Sequence, residues 1–358
     1  MIDTFEIHCR ITKDSAKCIV DAIDRIVYEE KKYGRNKYGD KTIREHKSYV
    51  IRQTSAFYTY GILEISILRS NVNGFYRYKL LAKIKPAIVL YPSDPYALSI
   101  DYDDYLRYKE VFEEFRERIN QFIEKYDYSI PSLDYWSVSR IDYAYQFSTS
   151  HYKYYMTLFK KSCKQEKRNT YKNSLFIIKN RYNVNFYDKT QKFIDSGKLE
   201  LKNEHFIRLE IQCKQEYLKY LVDKDTILSY KLSELWNSLL AKRTVLFGIK
   251  KYIGIEDYFS IDESKIILYK RYCKTKAEKM IFLLSASLHN TTIRTNLGVL
   301  CEIISKGYIT EKQTKRNLIP ELVESGVNLL AIPANWMINH LPNPVKLIPE
   351  LREYIEGQ

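Results

Sequence analysis

Glycine, paired cysteines and long apolar runs are scarce in this sequence, and each scarcity argues against a class of protein. Only 11 of 358 residues are glycine, which disfavours glycine-rich phosphate-binding loops. The six cysteines stand singly, so neither a C-x-x-C zinc ribbon nor a disulfide framework is predicted. No apolar run approaches the roughly 18 residues of a membrane helix, and the opening MIDTFEIHCR lacks the pattern of a secretory signal. We therefore expect a cytoplasmic protein with no membrane partner.

A stretch near the N-terminus imitates a nucleotide-binding loop. Residues 34–42 read GRNKYGDKT, one residue away from the pattern G-x-x-x-x-G-K-[ST], because Asp40 precedes Lys41. The phosphate-binding mechanism also needs a strand before the loop, whereas residues 15–32 predict a helix. We therefore predict an exposed basic loop and no nucleotide cofactor.

Positive charge is concentrated in the middle of the chain. The formal net charge is +14, yet residues 94–127 carry ten acidic and five basic side chains, whereas residues 151–220 carry sixteen basic and seven acidic ones. A basic block favours a polyanionic partner through counterion release from phosphates, and its aromatic rings can stack on single-stranded bases. A solvated surface is the alternative. The predicted contacts to the DNA backbone lie in segment 151–181, at Lys160, Lys161, Lys164, Lys167 and Arg168.

Hydrophobic periodicity predicts an α+β fold, with an antiparallel-rich central sheet packed by helices and followed by a smaller helical domain. We place the boundary after residue 225, which gives domains 1–225 and 226–358. A helix or coil is expected around 151–171. The predicted strands cover residues 4–11, 47–54, 57–70, 77–91, 137–147, 174–189 and 205–214, and the predicted helices cover 14–32, 101–127 and several stretches after about 226.

Three of the predicted strands each have an apolar and a polar face. Side chains alternate between the faces of a strand, so Tyr187 and Lys189 lie opposite Val184 and Phe186. Arg-x-Asp and Arg-x-Glu occupy the polar faces of the other two strands. A half-solvated antiparallel sheet has a similar pattern, but it seldom carries such charged pairs. The polar set expected on one side of the sheet comprises Arg140, Asp142, Asn183, Asn185, Tyr187, Lys189, Arg208 and Glu210.

This polar set suits phosphodiester chemistry. Asp142 and Glu210 can hold a hard divalent cation such as Mg²⁺ or Mn²⁺, which would polarise a phosphodiester. Lys189, Arg140 and Arg208 can contact the phosphate oxygens. A phenol, with a pKa of about 10, is a better attacking and leaving group than an alkyl hydroxyl. A tyrosyl ester also conserves the bond energy, so Tyr187 is the predicted nucleophile of a nicking and rejoining reaction.

Four stretches resemble a known family. They read AKIKPAIVLYPSDPYAL (82–98), VSRIDYAYQFS (138–148), NVNFYDKTQK (183–192) and FIRLEIQCKQEYLKY (206–220). In this order they resemble the filamentous-phage gene II/gene X type of rolling-circle replication initiator of phages and plasmids. The resemblance covers most of the chain and is dense from residue 136 to 220.

The resemblance implies an origin-specific DNA nickase. Such an enzyme cuts one origin strand, becomes linked to the 5′ phosphate through tyrosine and leaves a 3′ hydroxyl as primer. By position, it implies Tyr187 as nucleophile, Asp142 and Glu210 as ligands of the divalent metal, and Lys189 as a phosphate contact. The implied partners are single-stranded or supercoiled origin DNA and a host helicase or polymerase, in the cytoplasm of a bacterial host. The helical domain would bind DNA or a host factor.

The sequence departs from related histidine-metal nucleases, because it has no H-x-H pair. His205 is a candidate third ligand, although a surface histidine is the favoured interpretation. Asp188 is expected to face away from Tyr187, or to mark a turn or bulge. The other tyrosines considered as nucleophiles are expected to be structural or to stack on DNA; they are Tyr152, Tyr154, Tyr155, Tyr182, Tyr217 and Tyr220.

Two other functions are compatible with the sequence. A conjugative relaxase would share the chemistry but act in DNA transfer. A non-enzymatic DNA-binding protein, such as a copy-control factor, would use Asp142 and Glu210 only to pair with Arg140 and Arg208.

Overall fold

The computed structural model describes residues 2–32, 42–46, 49–54, 61–91, 107–123, 128–162, 168–171, 173–195, 203–289, 292–293 and 317–357. Fourteen strands lie in these ranges: β1 (Ile2–Ile11), β2 (Thr42–His46), β3 (Tyr49–Thr54), β4 (Ile62–Val72), β5 (Phe75–Ile84), β6 (Ser137–Thr149), β7 (Arg168–Tyr171), β8 (Ser174–Ile178), β9 (Tyr182–Asp188), β10 (His205–Lys214), β11 (Tyr258–Phe259), β12 (Leu288–His289), β13 (Thr292–Ile293) and β14 (His340–Leu341).

Thirteen α-helices lie in the same described ranges: α1 (Lys13–Lys32), α2 (Pro86–Leu90), α3 (Arg107–Ile123), α4 (Tyr152–Ser162), α5 (Lys189–Asp195), α6 (Gln215–Asp223), α7 (Leu232–Leu235), α8 (Ser238–Tyr252), α9 (Ile261–Arg271), α10 (Lys274–Ala286), α11 (Ile319–Glu324), α12 (Pro344–Leu347) and α13 (Pro349–Glu356). None of them is both long and apolar enough to cross a membrane.

The fold is α+β, as predicted. Ten strands follow one another by hydrogen bonding in the order β2-β3-β4-β5-β1-β6-β10-β9-β8-β7. The β2–β3, β3–β4, β4–β5, β1–β5, β1–β6 and β7–β8 pairings are antiparallel. The chain divides into two compact units; unit 1 comprises 1–144, 179–183 and 211–241, and unit 2 comprises 145–178, 184–210 and 242–358. This division does not follow the predicted boundary after 225, because β6, β9 and β10 each contribute to both units.

The core of unit 1 includes the helices α1 and α2, which contact the strands, and the amphipathic helix α3, which contacts both of these helices. The apolar positions of α3 recur at helical spacing, and Phe112 and Phe115 are buried. Both rings pack edge-on against the buried Trp136, with centroids 5.8 Å away. Phe5 of β1 makes a similar contact with Trp236 at 6.4 Å. Aromatic pairs at these distances add to the stabilisation from area burial.

Unit 2 contains residues 145–149 of β6, 184–188 of β9 and 205–210 of β10, and therefore Tyr187. Its core includes Phe159 of α4, which packs edge-on against Phe186 of β9 at 5.7 Å, and Phe147 of β6, which packs against Tyr155 at 5.0 Å. A second apolar cluster joins α9, α10 and α11, with Leu268, Met280 and Leu283 at its centre. The described elements after residue 241 are helices and two-residue strands, in agreement with the predicted helical character.

Three predicted elements differ from the structure. The predicted strand 77–91 ends at Ile84, and α2 follows, because proline at a first helical position is favourable there. The predicted strand 174–189 is two strands, β8 and β9, separated by residues 179–181. Lys189 begins helix α5 and does not continue the strand that holds Tyr187. The GRNKYGDKT stretch, except Thr42, lies outside the described residues. Residues 297–306, one of the stretches after 226 that we predict to be helical, also lie outside them.

Candidate active site around Tyr187

Tyr187 lies at the end of β9 and contacts a carboxylate of the neighbouring strand. Its hydroxyl donates to Glu210 Oε2 over 3.3 Å, a long hydrogen bond. Strand alternation is as predicted, since Val184 and Phe186 are completely buried on the other face. Tyr187 and Glu210 are also buried, with 6% and 4% of their surfaces exposed. The polar face in unit 2 is therefore covered and not a half-solvated surface.

Asp188 explains why β9 stops directly after Tyr187. Its Oδ1 accepts from the backbone N–H of Gln191 at 2.9 Å, which makes Asp188 the N-cap of α5. A side-chain oxygen at this position satisfies a backbone donor that the first helical turn leaves without a partner. The expectation that Asp188 marks a turn is therefore confirmed. The sequence signal is the Asp188-x-x-Gln191 spacing, which is typical of a helix start.

The other oxygen of Asp188 binds a buried histidine. His205 Nδ1 lies 2.7 Å from Asp188 Oδ2, and both residues are 1% exposed. Tyr152 of α4 stacks on this imidazole, with centroids 3.6 Å apart and ring planes 5° apart. The expectation of a surface histidine is therefore wrong: His205 is a buried partner of Asp188.

Two lysines of α5 lie beside the Tyr187 ring. The Nζ of Lys189 is 5.9 Å from the ring centroid, and the Nζ of Lys192 is 5.6 Å from it. Lys189 is buried, with 4% exposed. Cations at this distance interact favourably with an aromatic ring. Lys192 was absent from the predicted set, because the sequence pattern did not place α5 next to the tyrosine.

Tyr187 opens onto a cavity of about 370 Å³. Asn185 lines the same cavity, as expected for two residues on one face of a strand. Lys192 provides positive charge, and each of the other lining residues has a side-chain oxygen atom. The remaining lining residues are Asn173, Ser174, Asp188 and Asp195. The cavity is therefore a polar recess next to the candidate nucleophile.

Arg208 lies two residues before Glu210 on the same face of β10 and is also buried. Its Nη2 donates to Gln146 Oε1 of β6 at 3.0 Å, and 1% of its surface is exposed. A buried guanidinium needs partners for its donors, because an uncompensated buried charge is costly. The structure thus places Tyr187, Lys189, Arg208 and Glu210 in unit 2.

Arg140 and Asp142 belong to unit 1, where they pair with each other. Asp142 Oδ1 accepts from Arg140 Nε at 2.8 Å, and Oδ2 accepts from Nη2 at 2.7 Å. Arg140 Nη1 also donates to Glu6 at 3.0 Å, and Lys83 lies 3.4 Å from the same Glu6 oxygen. This bidentate pairing is a strong ionic hydrogen bond. For Asp142, the contact matches the structural alternative drawn from the sequence.

The predicted DNA-backbone residues are only partly described. Lys160 and Lys161 lie in the last turn of α4 and are half-buried. Burial lowers the pKa of Lys160. The backbone of Arg168 begins β7, whereas Lys164 and Lys167 lie outside the described residues. The role of this segment in binding DNA stays a prediction.

The other candidate tyrosines have packing contacts. Tyr155 is buried, which raises the pKa of its hydroxyl, and it donates to the carbonyl of Pro342 at 2.8 Å. Tyr154 stacks on Trp336, with centroids 4.3 Å apart. Tyr182 packs edge-on against Tyr217 at 5.9 Å. Tyr187 differs from these residues in combining a carboxylate contact, two nearby ammonium groups and an adjoining polar cavity.

The chemistry of the donors around Tyr187 suits a hard cation. Carboxylate, amide and hydroxyl oxygens are the ligands that Mg²⁺ and Mn²⁺ prefer. Within the described ranges, no three or more His, Cys, Asp or Glu side chains form a group that could hold a metal ion. A cation here would therefore need ligands beyond such a cluster, such as water or substrate phosphate, as is usual for Mg²⁺.

No protein-family model matches the chain, and no curated protein matches it. The resemblance to the gene II/gene X initiators therefore stays a prediction, carried by the four sequence stretches.

Proposed function

We propose that this protein nicks and rejoins a DNA strand through Tyr187, as a rolling-circle replication initiator. The observation that carries the proposal is the environment of the Tyr187 hydroxyl. It contacts Glu210 at 3.3 Å, and the tyrosine lines a polar cavity at the end of β9. The resemblance of four ordered stretches to the initiator family supports the same chemistry.

The proposed reaction begins with transfer of the phenolic proton to Glu210, which acts as a general base. The phenolate oxygen attacks phosphorus and forms a tyrosyl–phosphate bond, while the bond from phosphorus to the 3′ oxygen breaks. The released 3′ oxygen takes up a proton and becomes the primer hydroxyl. Attack by a 3′ hydroxyl on the phosphotyrosine reverses these steps and rejoins a strand, so no nucleotide is consumed.

The lysines of α5 support this assignment through their charge. Lys189 and Lys192 lie within 6 Å of the Tyr187 ring centroid, so they stabilise the negative charge that develops on the phenol oxygen. The ammonium groups also suit the phosphate of the strand being cut. A divalent cation, when bound, would polarise the phosphodiester and neutralise charge in the transition state. Glu210, which contacts the Tyr187 hydroxyl, would be a carboxylate ligand for it.

The substrate in this proposal is origin DNA, single-stranded or supercoiled, in a bacterial cytoplasm. A conjugative relaxase would use the same residues on transfer-origin DNA. The non-enzymatic alternative has one specific observation in its favour, because Asp142 pairs with Arg140 as a structural residue would. In that case the protein would bind DNA without forming an adduct.

The deciding experiment is to incubate the protein with labelled origin DNA and Mn²⁺ and to detect a denaturant-stable protein–DNA adduct. We expect wild type to form the adduct and Tyr187→Phe to lose it. Tyr152→Phe is the matched control, since it also removes one hydroxyl in unit 2 while its ring can still stack on His205. An undiminished adduct in Tyr187→Phe would refute the nucleophile, and no adduct with wild type would favour the non-enzymatic function.

A further inference from the structure

A second basic surface lies in unit 1 and is formed by residues outside the segment that the sequence singled out. A cleft of about 790 Å³ is formed where β1 ends and the β4–β5 hairpin begins to project. We call it the hairpin cleft. Its basic lining residues are Arg10, Lys13, Arg69, Arg77 and Lys79. No acidic side chain is among its described lining residues.

None of the five basic residues of the hairpin cleft forms a salt bridge with a carboxylate in the part of the chain that the structure describes. Arg10 and Lys79 are direct partners in the β1–β5 register, and like charges opposite each other destabilise a sheet. Lys79 also affects its surroundings, because its charge adds to burial in lowering the pKa of His8. The arrangement therefore favours an anionic ligand.

Aromatic side chains adjoin this charge at the tip of the hairpin. Asn73 and Gly74 form its turn with φ values of +52° and +84°, as expected for an Asn-Gly hairpin. Directly after the turn, Phe75 is 77% exposed and Tyr76 is 59% exposed. Tyr76 lines the cleft, and the guanidinium carbon of Arg69 lies 5.1 Å from its ring centroid. Phe75 is not among the residues that line the cleft, and successive side chains of a strand point to opposite faces, so Tyr76 is the exposed ring that can act within it.

We propose that the hairpin cleft binds single-stranded nucleic acid, with its basic residues on the phosphates and Tyr76 stacked on a base. A groove of positive charge that tracks the backbone, together with aromatic platforms for the bases, is the usual design of single-strand binding sites. Duplex DNA is a poorer fit, because its paired bases do not offer free faces for stacking. The proposal does not depend on Tyr187 being a nucleophile.

The test measures binding of fluorescent oligothymidylate by anisotropy at several salt concentrations, with EDTA present so that strand cleavage cannot contribute. The variant Arg77→Gln/Lys79→Gln removes two phosphate contacts. We expect it to bind more weakly and to reduce the slope of log K against log salt by about 1.4, at about 0.7 for each single-strand contact. The control Lys219→Gln/Lys224→Gln removes the same charge from exposed positions of unit 1 and should leave the slope unchanged.

A second variant tests the stacking. Tyr76→Ala keeps the charge, and its position is exposed, so circular dichroism should show an unchanged fold. We expect about a tenfold loss of oligothymidylate affinity with an unchanged salt slope. Equal slopes for the two charge variants would overturn the site. Affinity for oligothymidylate that is insensitive to the aromatic variant would overturn the single-strand assignment.

Discussion

The Arg140–Asp142 pair offers the sharpest stability test, because two roles are possible for Asp142. Asp142→Asn keeps the shape of the side chain but removes the charge from a carboxylate that is 1% exposed. It weakens one of the two hydrogen bonds from Arg140, at 2.8 and 2.7 Å, and removes the other, because the new NH2 group cannot accept. Breaking a buried ion pair on one side costs about 3–5 kcal/mol. Arg140 keeps Glu6 at 3.0 Å and is 22% exposed, so we expect a loss of about 2–3 kcal/mol.

Urea denaturation followed by circular dichroism measures this loss. A double-mutant cycle with Arg140→Gln isolates the pair, because the second substitution should cost less once its partner has gone. We expect a coupling energy of about 1.5–3 kcal/mol. Additive effects, or a loss below about 0.5 kcal/mol for Asp142→Asn, would refute the structural role. Loss of adduct formation without loss of stability would instead support Asp142 as a metal ligand.

Two further predictions concern the rest of the chain. Gly61→Ala should destabilise unit 1 by more than about 2 kcal/mol in urea denaturation, since φ is +79° and the new Cβ would lie 2.5 Å from the Val89 nitrogen. The control is Gly74→Ala, which has φ of +84° but no described atom within 4 Å of the new Cβ, and it should cost about 1–2 kcal/mol. Equal losses for the two variants would refute the clash at Gly61. Burial raises the pKa of Glu256 above 4.5, so its contribution to stability is present at low pH and is lost as pH rises through the folded pKa. Glu256→Gln should therefore be more favourable to stability at neutral pH than below pH 4.5, and a pH-independent difference in unfolding free energy would contradict this.

Local patterns in the sequence predicted much of the fold. The alternating residues 205–214 form β10 with the predicted bounds, and the helix predicted for 14–32 is α1, which begins one residue earlier. Both elements have a hydrophobic periodicity that can be read from a short stretch of the sequence. The predicted strand 174–189 failed because residues 179–181 interrupt it without proline or glycine, so composition alone gave no breaking signal.

The candidate site was predictable only where strand alternation applies. Alternation placed Tyr187 and Asn185 on one face, and both line the cavity. It could not place Lys189 and Lys192, because a helix begins after Asp188. Side chains on a helix recur on one face every 3 to 4 residues and not every second residue. The pair between Asp188 and His205 joins residues 17 positions apart. Such a contact depends on how strands and helices pack, which no local pattern encodes.

Hydrogen-bond partners separate the charged residues that the sequence had grouped together. Strand alternation treated Arg-x-Asp and Arg-x-Glu as equivalent, yet their contacts differ. Asp142 accepts two hydrogen bonds from Arg140, so much of its capacity to accept a proton or a cation is already used. Glu210 instead contacts the hydroxyl of the proposed nucleophile, Tyr187, over 3.3 Å. A carboxylate that changes partners during a reaction is better placed at Glu210 than at Asp142, and the proposed chemistry therefore centres on the end of β9.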